Sequence, residues 1–237
     1  AGRYHLAEPI GEGGYGEVFS AFDERTERLV AVKVFRRCDS EALREDFLKE
    51  AQRTATVAHP CVVRVYDAGF DGSEPYLVME RLEGKTVGDQ IAARGAMASA
   101  KALTIADRVL RGLIQIHDCD ILHGDLKPAN VFITTQRQVK LIDFGISRRS
   151  TDPSDEGGVR GTPPYVPPEV IVGDPADERS DIYGLGLVLY AMLAGRPAYE
   201  QRANAVQTFH EVLASEAPGL QAHRPNLSGA VVELVAK

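Results

Sequence analysis

The sequence predicts an α+β fold in two parts, a small β-rich part followed by a larger helical one. Residues 1–80 contain five short runs rich in β-branched and aromatic residues, and turn residues separate these runs. After a turn region at 82–88 the spacing of apolar residues becomes helical. We therefore expect one structural unit over residues 1–81 and a second over residues 82–237.

The first part is expected to be a small sheet with one helix. Strands are predicted at 3–10, 17–22, 29–35, 62–67 and 76–80. A helix is predicted over 40–58, because apolar residues recur there every three or four positions and His59-Pro60 follows.

The second part is expected to be built on helices. Residues 98–117 have helical periodicity, and residues 181–193 are apolar on nearly every side, which is typical of a buried helix. Two short strands are predicted between them, at 131–133 and 139–142. Residues 145–168 are rich in glycine, proline, serine and charge, and a loop of that length in a compact domain is usually functional.

The composition argues against several classes of function. The net charge is −7 and neither part of the chain is basic, so we expect no nucleic acid partner. The longest near-apolar stretch, 182–195, is too short to cross a bilayer of ~30 Å as a helix. Cys38, Cys61 and Cys119 fit neither a zinc site nor a disulfide framework, so we expect a cytoplasmic domain.

A glycine-rich motif lies between the first two predicted strands. Gly11, Gly13, Gly16 and Val18 form the pattern G-x-G-x-x-G-x-V. A dinucleotide site would need a helix after this loop, whereas a strand follows here. The placement suits a flap whose backbone amides cover the phosphates of ATP, and the alternative is a plain hairpin loop.

A lysine and a glutamate form the next candidate pair. Lys33 lies in an otherwise apolar predicted strand, and Glu50 shares a helical stripe with Phe47 and Ala51. A buried carboxylate needs a partner, so we expect Glu50 to pair with Lys33. Taken alone, Lys33 is also compatible with an edge-strand lysine that faces water.

The strongest signal is the run HGDLKPAN from His123 to Asn130, followed by the tripeptide DFG that begins at Asp143. Two aspartates, a lysine and an asparagine beside short strands supply what phosphoryl transfer requires. They offer oxygen ligands for Mg²⁺, a base near the attacking hydroxyl and a cation near the transferred phosphate.

With these motifs the sequence resembles the protein kinase superfamily, specifically bacterial serine/threonine kinases of the eukaryotic-like type. The resemblance runs from about Leu6 to the C-terminus. It implies a bilobal protein-kinase-like fold, with a small antiparallel sheet and one main helix in the N-lobe and a larger helical C-lobe. It also implies ATP and Mg²⁺ as cofactors, and protein substrates that include the kinase itself.

The resemblance assigns roles on the phosphate side of the cleft. Gly11, Gly13 and Gly16 would cover the phosphates, and Lys33 would hold the α- and β-phosphates while pairing with Glu50.

The resemblance assigns the catalytic roles to the HGDLKPAN and DFG motifs. Asp125 would orient the substrate hydroxyl and accept its proton, and Lys127 would neutralise the γ-phosphate. Asn130 and Asp143 would bind Mg²⁺. Thr162 together with Lys127 is the pairing of the serine/threonine type. Asp181, at the start of the predicted helix over 181–193, matches the family's aspartate that braces the catalytic loop.

The resemblance also implies an adenine pocket. Val18 and Ala31 would lie above the base and Phe132 below it, with Met79 as gatekeeper. Backbone groups of the hinge from Glu80 to Leu82 would bind the adenine edge. Each of these apolar side chains also suits a plain core position.

Two other functions share parts of this signature. Small-molecule kinases of the aminoglycoside phosphotransferase type also carry His-Gly-Asp with a downstream asparagine. They generally lack an extended segment ending in Pro-Pro-Glu, which is present here at 167–169. A non-catalytic pseudokinase scaffold usually loses part of the set Lys33, Asp125, Asn130 and Asp143, and all four residues are in place.

Regulation is expected to be of the non-RD type, because Gly124 stands where many regulated kinases have an arginine. That arginine binds a phosphate on the activation loop. Asp46, on the helix that could contribute a second contact, is acidic, and only Arg148 remains in a matching position. We therefore expect activity that does not depend strongly on loop phosphorylation, although acceptors are present at Ser147, Ser150, Thr151, Ser154 and Thr162.

The end of the chain resembles the lead-in to the last helices of the family. The arginine that normally pairs with the glutamate at position 169 is expected further on, so we expect a C-lobe that is truncated at residue 237.

Overall fold

The computed structural model describes residues 2–13, 16–35, 40–145 and 161–236 of the chain. The expectations for one cysteine and for five loop residues lie outside these ranges: Cys38, Ser147, Arg148, Ser150, Thr151 and Ser154.

Five antiparallel strands and one helix form the first part, as predicted. The strands are β1 (Tyr4–Gly13), β2 (Gly16–Asp23), β3 (Arg28–Phe35), β4 (Val65–Asp71) and β5 (Glu74–Glu80). The helix α1 (Glu41–Thr56) follows β3 and packs against β4 and β5. The sheet order is β1-β2-β3-β5-β4, and every neighbouring pair is antiparallel.

The fourth strand does not start where the sequence predicts. It begins at Val65 instead of at residue 62. The Val63 N–H donates to the Leu141 carbonyl at 2.8 Å, and Val62 forms an isolated parallel bridge with Leu141. The apolar start of the predicted strand is therefore used to attach the first part to the second.

Six helices and a three-stranded sheet form the second part within the described residues. The helices are α2 (Val87–Arg94), α3 (Ser99–His117), α4 (Pro168–Ile171), α5 (Glu178–Ala194), α6 (Ala205–Ala214) and α7 (Gly229–Ala236). The strands β6 (Gly84–Thr86), β7 (Val131–Thr134) and β8 (Val139–Leu141) pair in that order. The predicted helices at 98–117 and 181–193 and both predicted short strands are confirmed.

The predicted turn at 82–88 instead contains β6 and the start of α2. Asp89 N–H donates to Thr86 Oγ1 at 3.0 Å, and the Asp89 carboxylate accepts from the Thr86 N–H at 2.9 Å. This reciprocal capping box satisfies two backbone donors that the first helical turn leaves free. A threonine followed by an aspartate three positions later is a sequence signal that could have identified this helix start.

One hydrophobic core extends through both parts. The helices α3 and α5 pack against each other, and the side chains of Leu113, Val188 and Met192 are fully buried between them. Ala31 and Met79 of the first sheet belong to the same cluster of buried residues. Buried side chains of the two parts therefore pack against each other beneath the cleft.

A glycine lets α3 lie close to β8. A Cβ atom at Gly112 would lie 2.9 Å from Leu141 Cδ1 and 3.2 Å from the Cys61 carbonyl oxygen. Leu141 is fully buried, so its side chain has little room to move. Because β8 leads directly into Asp143, this close approach fixes one wall of the candidate site.

We predict opposite effects of alanine at two helical glycines. Both substitutions gain about 1 kcal/mol of helix propensity, but Gly112→Ala must also displace buried neighbours. A Cβ at Gly186 on α5 would meet no atom within 4 Å. Urea denaturation should show a lower free energy of unfolding for Gly112→Ala and an equal or higher one for Gly186→Ala. Equal shifts for the two variants would contradict the close packing of α3 on β8.

Candidate active site

A buried aspartate on α5 holds the loop between α3 and β7. Asp181 is 2% exposed and lies in the first turn of α5. Its Oδ2 accepts the His123 N–H at 2.8 Å, and its Oδ1 accepts the Gly124 N–H at 2.9 Å. The predicted bracing role of Asp181 is therefore confirmed in detail.

A histidine from α3 completes the shell around this carboxylate. His117 Nε2 lies 2.8 Å from Asp181 Oδ2. This hydrogen bond raises the pKa of His117 above its ordinary value, although partial burial opposes the shift. Burial alone would raise the pKa of Asp181, but the hydrogen bond with His117 lowers it, assisted by the two backbone N–H groups. Asp181 is therefore held as a carboxylate.

His123 itself is buried in neutral form beneath the loop. Its side chain is fully buried, and burial lowers its pKa. Its Nδ1 faces the Asp125 N–H at 3.4 Å, while Nε2 has no hydrogen-bond partner within the described ranges. The imidazole therefore serves as packing for the loop rather than as an exposed acid or base.

The predicted catalytic residues converge next to this anchor. Lys127 Nζ lies 2.6 Å from Asp125 Oδ2 and donates to Thr162 Oγ1 at 2.7 Å. Asn130 Nδ2 donates to the Asp125 carbonyl at 2.8 Å and to Asp125 Oδ2 at 3.2 Å. The Asp125 side chain is only 7% exposed, so its carboxylate is held in one position by the lysine and the amide.

Lys33 and Asp143 meet across the cleft between the two parts. Lys33 Nζ lies 2.8 Å from Asp143 Oδ1, and the lysine side chain is 6% exposed. Asp143 follows β8 and adopts a left-handed backbone conformation with φ of 59°. A cleft is lined by both residues and by Phe144 and Thr54. The structure therefore brings together the lysine that was assigned to the α- and β-phosphates and one of the two residues that were assigned to Mg²⁺.

The expected ion pair between Lys33 and Glu50 is not among the contacts of the described residues. Lys33 is neutralised by Asp143 instead. Glu50 is half-buried on α1, on the stretch of that helix which also carries Lys49 and Arg53. The α1 face that packs into the core is formed by Phe47, Ala51 and Thr54, so the helical stripe was predicted correctly but the partner of the lysine was not.

The residues assigned to Mg²⁺ fit a hard cation. The side-chain hydrogen bonds of Asn130 to described residues both use Nδ2, which leaves the Oδ1 oxygen for a cation. Asp143 offers a carboxylate that is 31% exposed. Oxygen ligands of this kind suit Mg²⁺, which keeps several waters and is completed by substrate phosphates. The described residues contain no cluster of three or more His, Cys, Asp or Glu that would hold a metal ion alone.

The glycine motif forms the hairpin of β1 and β2. Gly11 pairs with Val18, and Gly13 pairs with Gly16. A Cβ at Gly16 would lie 2.0 Å from the Val34 carbonyl oxygen, and φ at this residue is 149°, so only glycine fits. The predicted placement between two strands is confirmed, and a dinucleotide-type strand and helix is excluded.

The residues predicted to line an adenine pocket come from both parts. Ala31 and Met79 are buried and directly opposite each other in the pairing of β3 with β5, and Val18 and Leu82 pack against the same cluster. Phe132 is half-buried on β7, opposite Thr86 of β6.

The start of the hinge is itself held by hydrogen bonds. The Glu80 N–H donates to the Arg64 carbonyl at 2.9 Å, so this N–H is not available to an adenine edge. The Glu80 carboxylate binds Lys140 at 2.6 Å.

Sequence reasoning missed His117 and Lys140. Both are single polar residues at the end of a helix or in a short strand, where an ordinary solvent-facing position is the usual interpretation.

Glu169, expected to lack an ionic partner, accepts a hydrogen bond from Ser180 Oγ at 2.6 Å within the described part of the chain.

A pH-dependent stability difference should identify the pair of His117 and Asp181. Folding raises the pKa of His117, so its stabilisation is complete below its unfolded pKa and is lost as pH rises through the folded pKa. His117→Gln should therefore lower the free energy of unfolding more at about pH 5.5 than at about pH 8.5. The contribution of buried His123 is present in both proteins and cancels from the difference. The exposed His210→Gln serves as control, and a pH-independent difference for His117→Gln would contradict the pairing.

Comparison with known proteins agrees with this geometry. The protein kinase domain family matches residues 4–235. A probable serine/threonine-protein kinase of Corynebacterium efficiens is 39% identical over 228 residues, which cover 92% of this chain and 34% of that protein. The serine/threonine-protein kinase PknB of Mycolicibacterium smegmatis is 38% identical over 250 aligned residues, covering 99% of this chain and 40% of that protein. PknB of Mycobacterium tuberculosis is 37% identical with the same coverage.

This chain thus spans 34% to 40% of the length of these relatives. No helix in the described ranges is long and apolar enough to cross a membrane. The family match covers nearly the whole sequence, and the resemblance carried by the HGDLKPAN and DFG motifs is confirmed: the chain belongs to the protein kinase domain family.

Proposed function

We propose that this domain is a serine/threonine protein kinase that transfers the γ-phosphate of ATP to protein serine or threonine hydroxyls in the presence of Mg²⁺. One observation carries the proposal, namely the contact of Lys127 with both Asp125, at 2.6 Å, and Thr162, at 2.7 Å. Thr162 opens the 162–169 segment, so a loop suited to a protein substrate contacts Lys127, which in turn contacts the candidate base. The names of the relatives support the same reaction.

The arrangement suits an in-line transfer. The substrate hydroxyl oxygen would attack the γ-phosphorus, and its proton would pass to a carboxylate oxygen of Asp125. As the new O–P bond forms, the bond from phosphorus to the bridging oxygen breaks and ADP leaves. Lys127 lies beside the carboxylate and would offset the charge on the transferring group.

Asn130 Oδ1 and the Asp143 carboxylate would hold Mg²⁺, which neutralises phosphate charge when it is bound. Lys33 contacts Asp143, so its ammonium group lies beside the carboxylate proposed to hold Mg²⁺, from where it would bind the phosphates. The proposal does not use a contact between Lys33 and Glu50. We assign the N-lobe to residues 1–81 and the C-lobe to residues 82–237, because β5 ends at Glu80 and β6 begins at Gly84.

We also propose that activity does not depend strongly on loop phosphorylation. Gly124 has no side chain, its backbone is left-handed with φ of 76°, and its N–H is used by Asp181. This position therefore supplies no group that would bind a phosphate on the loop.

Phosphoryl transfer from labelled ATP to a generic protein substrate tests the proposal. Asp125→Asn should lower kcat by about a hundredfold or more, because the proton acceptor is lost. Lys33→Met should also lower activity, and chelation of Mg²⁺ should abolish it. The matched control is Asp107→Asn, since Asp107 lies on the exposed face of α3 and pairs only with nearby Arg111 among the described residues. Circular dichroism would confirm that each variant is folded.

Several results would contradict the proposal. A folded wild-type domain without transfer would favour a scaffold, and transfer only to an aminoglycoside or sugar would favour a small-molecule kinase. Phosphotyrosine as the only product would exclude the serine/threonine type. Phosphatase-treated enzyme should keep kcat/KM within a few-fold, and a large loss that phosphorylation restores would exclude the non-RD assignment.

A further inference from the structure

The structure contains a buried ion pair that the proposed reaction does not use. Lys140 on β8 is 11% exposed, and its Nζ lies 2.6 Å from Glu80 Oε1. The same ammonium group donates to the Val62 carbonyl at 3.4 Å. Glu80 Oε1 also accepts the Arg64 N–H at 2.8 Å. The ammonium group and one carboxylate oxygen therefore both have partners within the protein, while the Glu80 side chain is 21% exposed.

The pair lies where three segments meet. Glu80 ends β5 and begins the hinge, Val62 and Arg64 belong to the connection between α1 and β4, and Lys140 lies on β8. Backbone hydrogen bonds join the last two segments, since the Leu141 N–H donates to the Cys61 carbonyl at 2.8 Å. Among the contacts of the described residues, the hydrogen bond from Lys140 to Glu80 connects β8 to the hinge.

Both ends of this connection lead to the proposed nucleotide site. The hinge from Glu80 to Leu82 is assigned to the adenine edge, and Asp143 follows β8 within a few residues. Ile142 lies between β8 and Asp143, and its N–H donates to the Asn130 carbonyl at 3.0 Å. A shift of the hinge relative to β8 would therefore change the spacing between the adenine end and the metal end of the site.

Stability alone gives a weak reason for such a pair. Burying two charges costs desolvation free energy that the attraction between them often only offsets, and apolar replacements of similar volume are frequently as stable. A charge-assisted hydrogen bond is directional, so it fixes the relative position of two segments more specifically than apolar packing does.

We propose that Lys140 is a positioning residue for ATP, acting through Glu80 to hold the hinge in place over the cleft. The inference rests on the proposed kinase function. The two proposals can be distinguished, because loss of Lys140 should weaken nucleotide binding while leaving the transfer step intact.

The test compares Lys140→Met with Lys85→Met in the same three-stranded sheet, since Lys85 is exposed on β6. Lys140→Met should raise KM for ATP and the inhibition constant of adenosine by roughly tenfold each, with kcat within about twofold of the unmodified protein. Adenosine has no phosphates, so its weaker binding reports on the hinge alone. Lys85→Met should change none of these quantities.

A second variant covers the case in which Lys140→Met does not fold. Lys140→Met with Glu80→Gln removes both charges and keeps an oxygen that accepts the Arg64 N–H. This double variant should show the same rise in KM as Lys140→Met, because Lys140 acts through Glu80.

The proposal is overturned by an unchanged KM in either folded variant, by a fall in kcat with constant KM, or by a rise in KM for the double variant that clearly exceeds the rise for Lys140→Met. Failure of both variants to fold, with Lys85→Met folded, would make Lys140 a purely structural residue. An unmodified protein that transfers no phosphate would overturn the kinase proposal itself, which these variants do not address.

Discussion

The buried carboxylate of Asp181 is the interaction on which the geometry of the site depends. A charge that is 2% exposed requires compensation, and two backbone N–H groups and His117 provide it. These donors can satisfy the carboxylate only if residues 123 and 124 take one position relative to α5. Asp125 follows them directly, so the largely buried helix α5, and not the loop alone, fixes the position of the candidate base.

A second fixed point lies on β8, where the two parts of the molecule join. Leu141 exchanges backbone hydrogen bonds with Cys61 and Val63, and Gly112 allows α3 to pack closely on the same strand. Asp143 extends from this junction into the cleft and meets Lys33 from the first sheet. Thus α5 positions Asp125, the candidate base, and β8 positions Asp143. Lys33 comes from the sheet of the other lobe. Among the described residues, the contact of Lys33 with Asp143 links the two parts directly at the site.

Much of the fold and of the site could be predicted because the relevant signals are local. The continuous apolar run of α5 and the close spacing of Asp125, Lys127 and Asn130 require no knowledge of distant residues. The partner of Lys33 could not be predicted in this way, because Asp143 is distant in sequence and competes with Glu50 through tertiary geometry alone. The start of β4 was misplaced for a similar reason, since Val62 and Val63 satisfy β8 instead of the first sheet. His117 and Lys140 carry no periodic signal at all.

Amide hydrogen exchange at His123 and Gly124 tests most directly whether Asp181 holds the catalytic loop. Asp181 accepts these two N–H groups on different oxygens, whereas the amide of Asp181→Asn offers a single acceptor oxygen. In the unmodified protein both amides should exchange slowly. In Asp181→Asn at least one of them should exchange faster by roughly tenfold or more, while the core amides of α5, such as that of Leu189, keep their protection. Unchanged exchange at both loop amides, or an equal loss of protection throughout α5, would contradict the account.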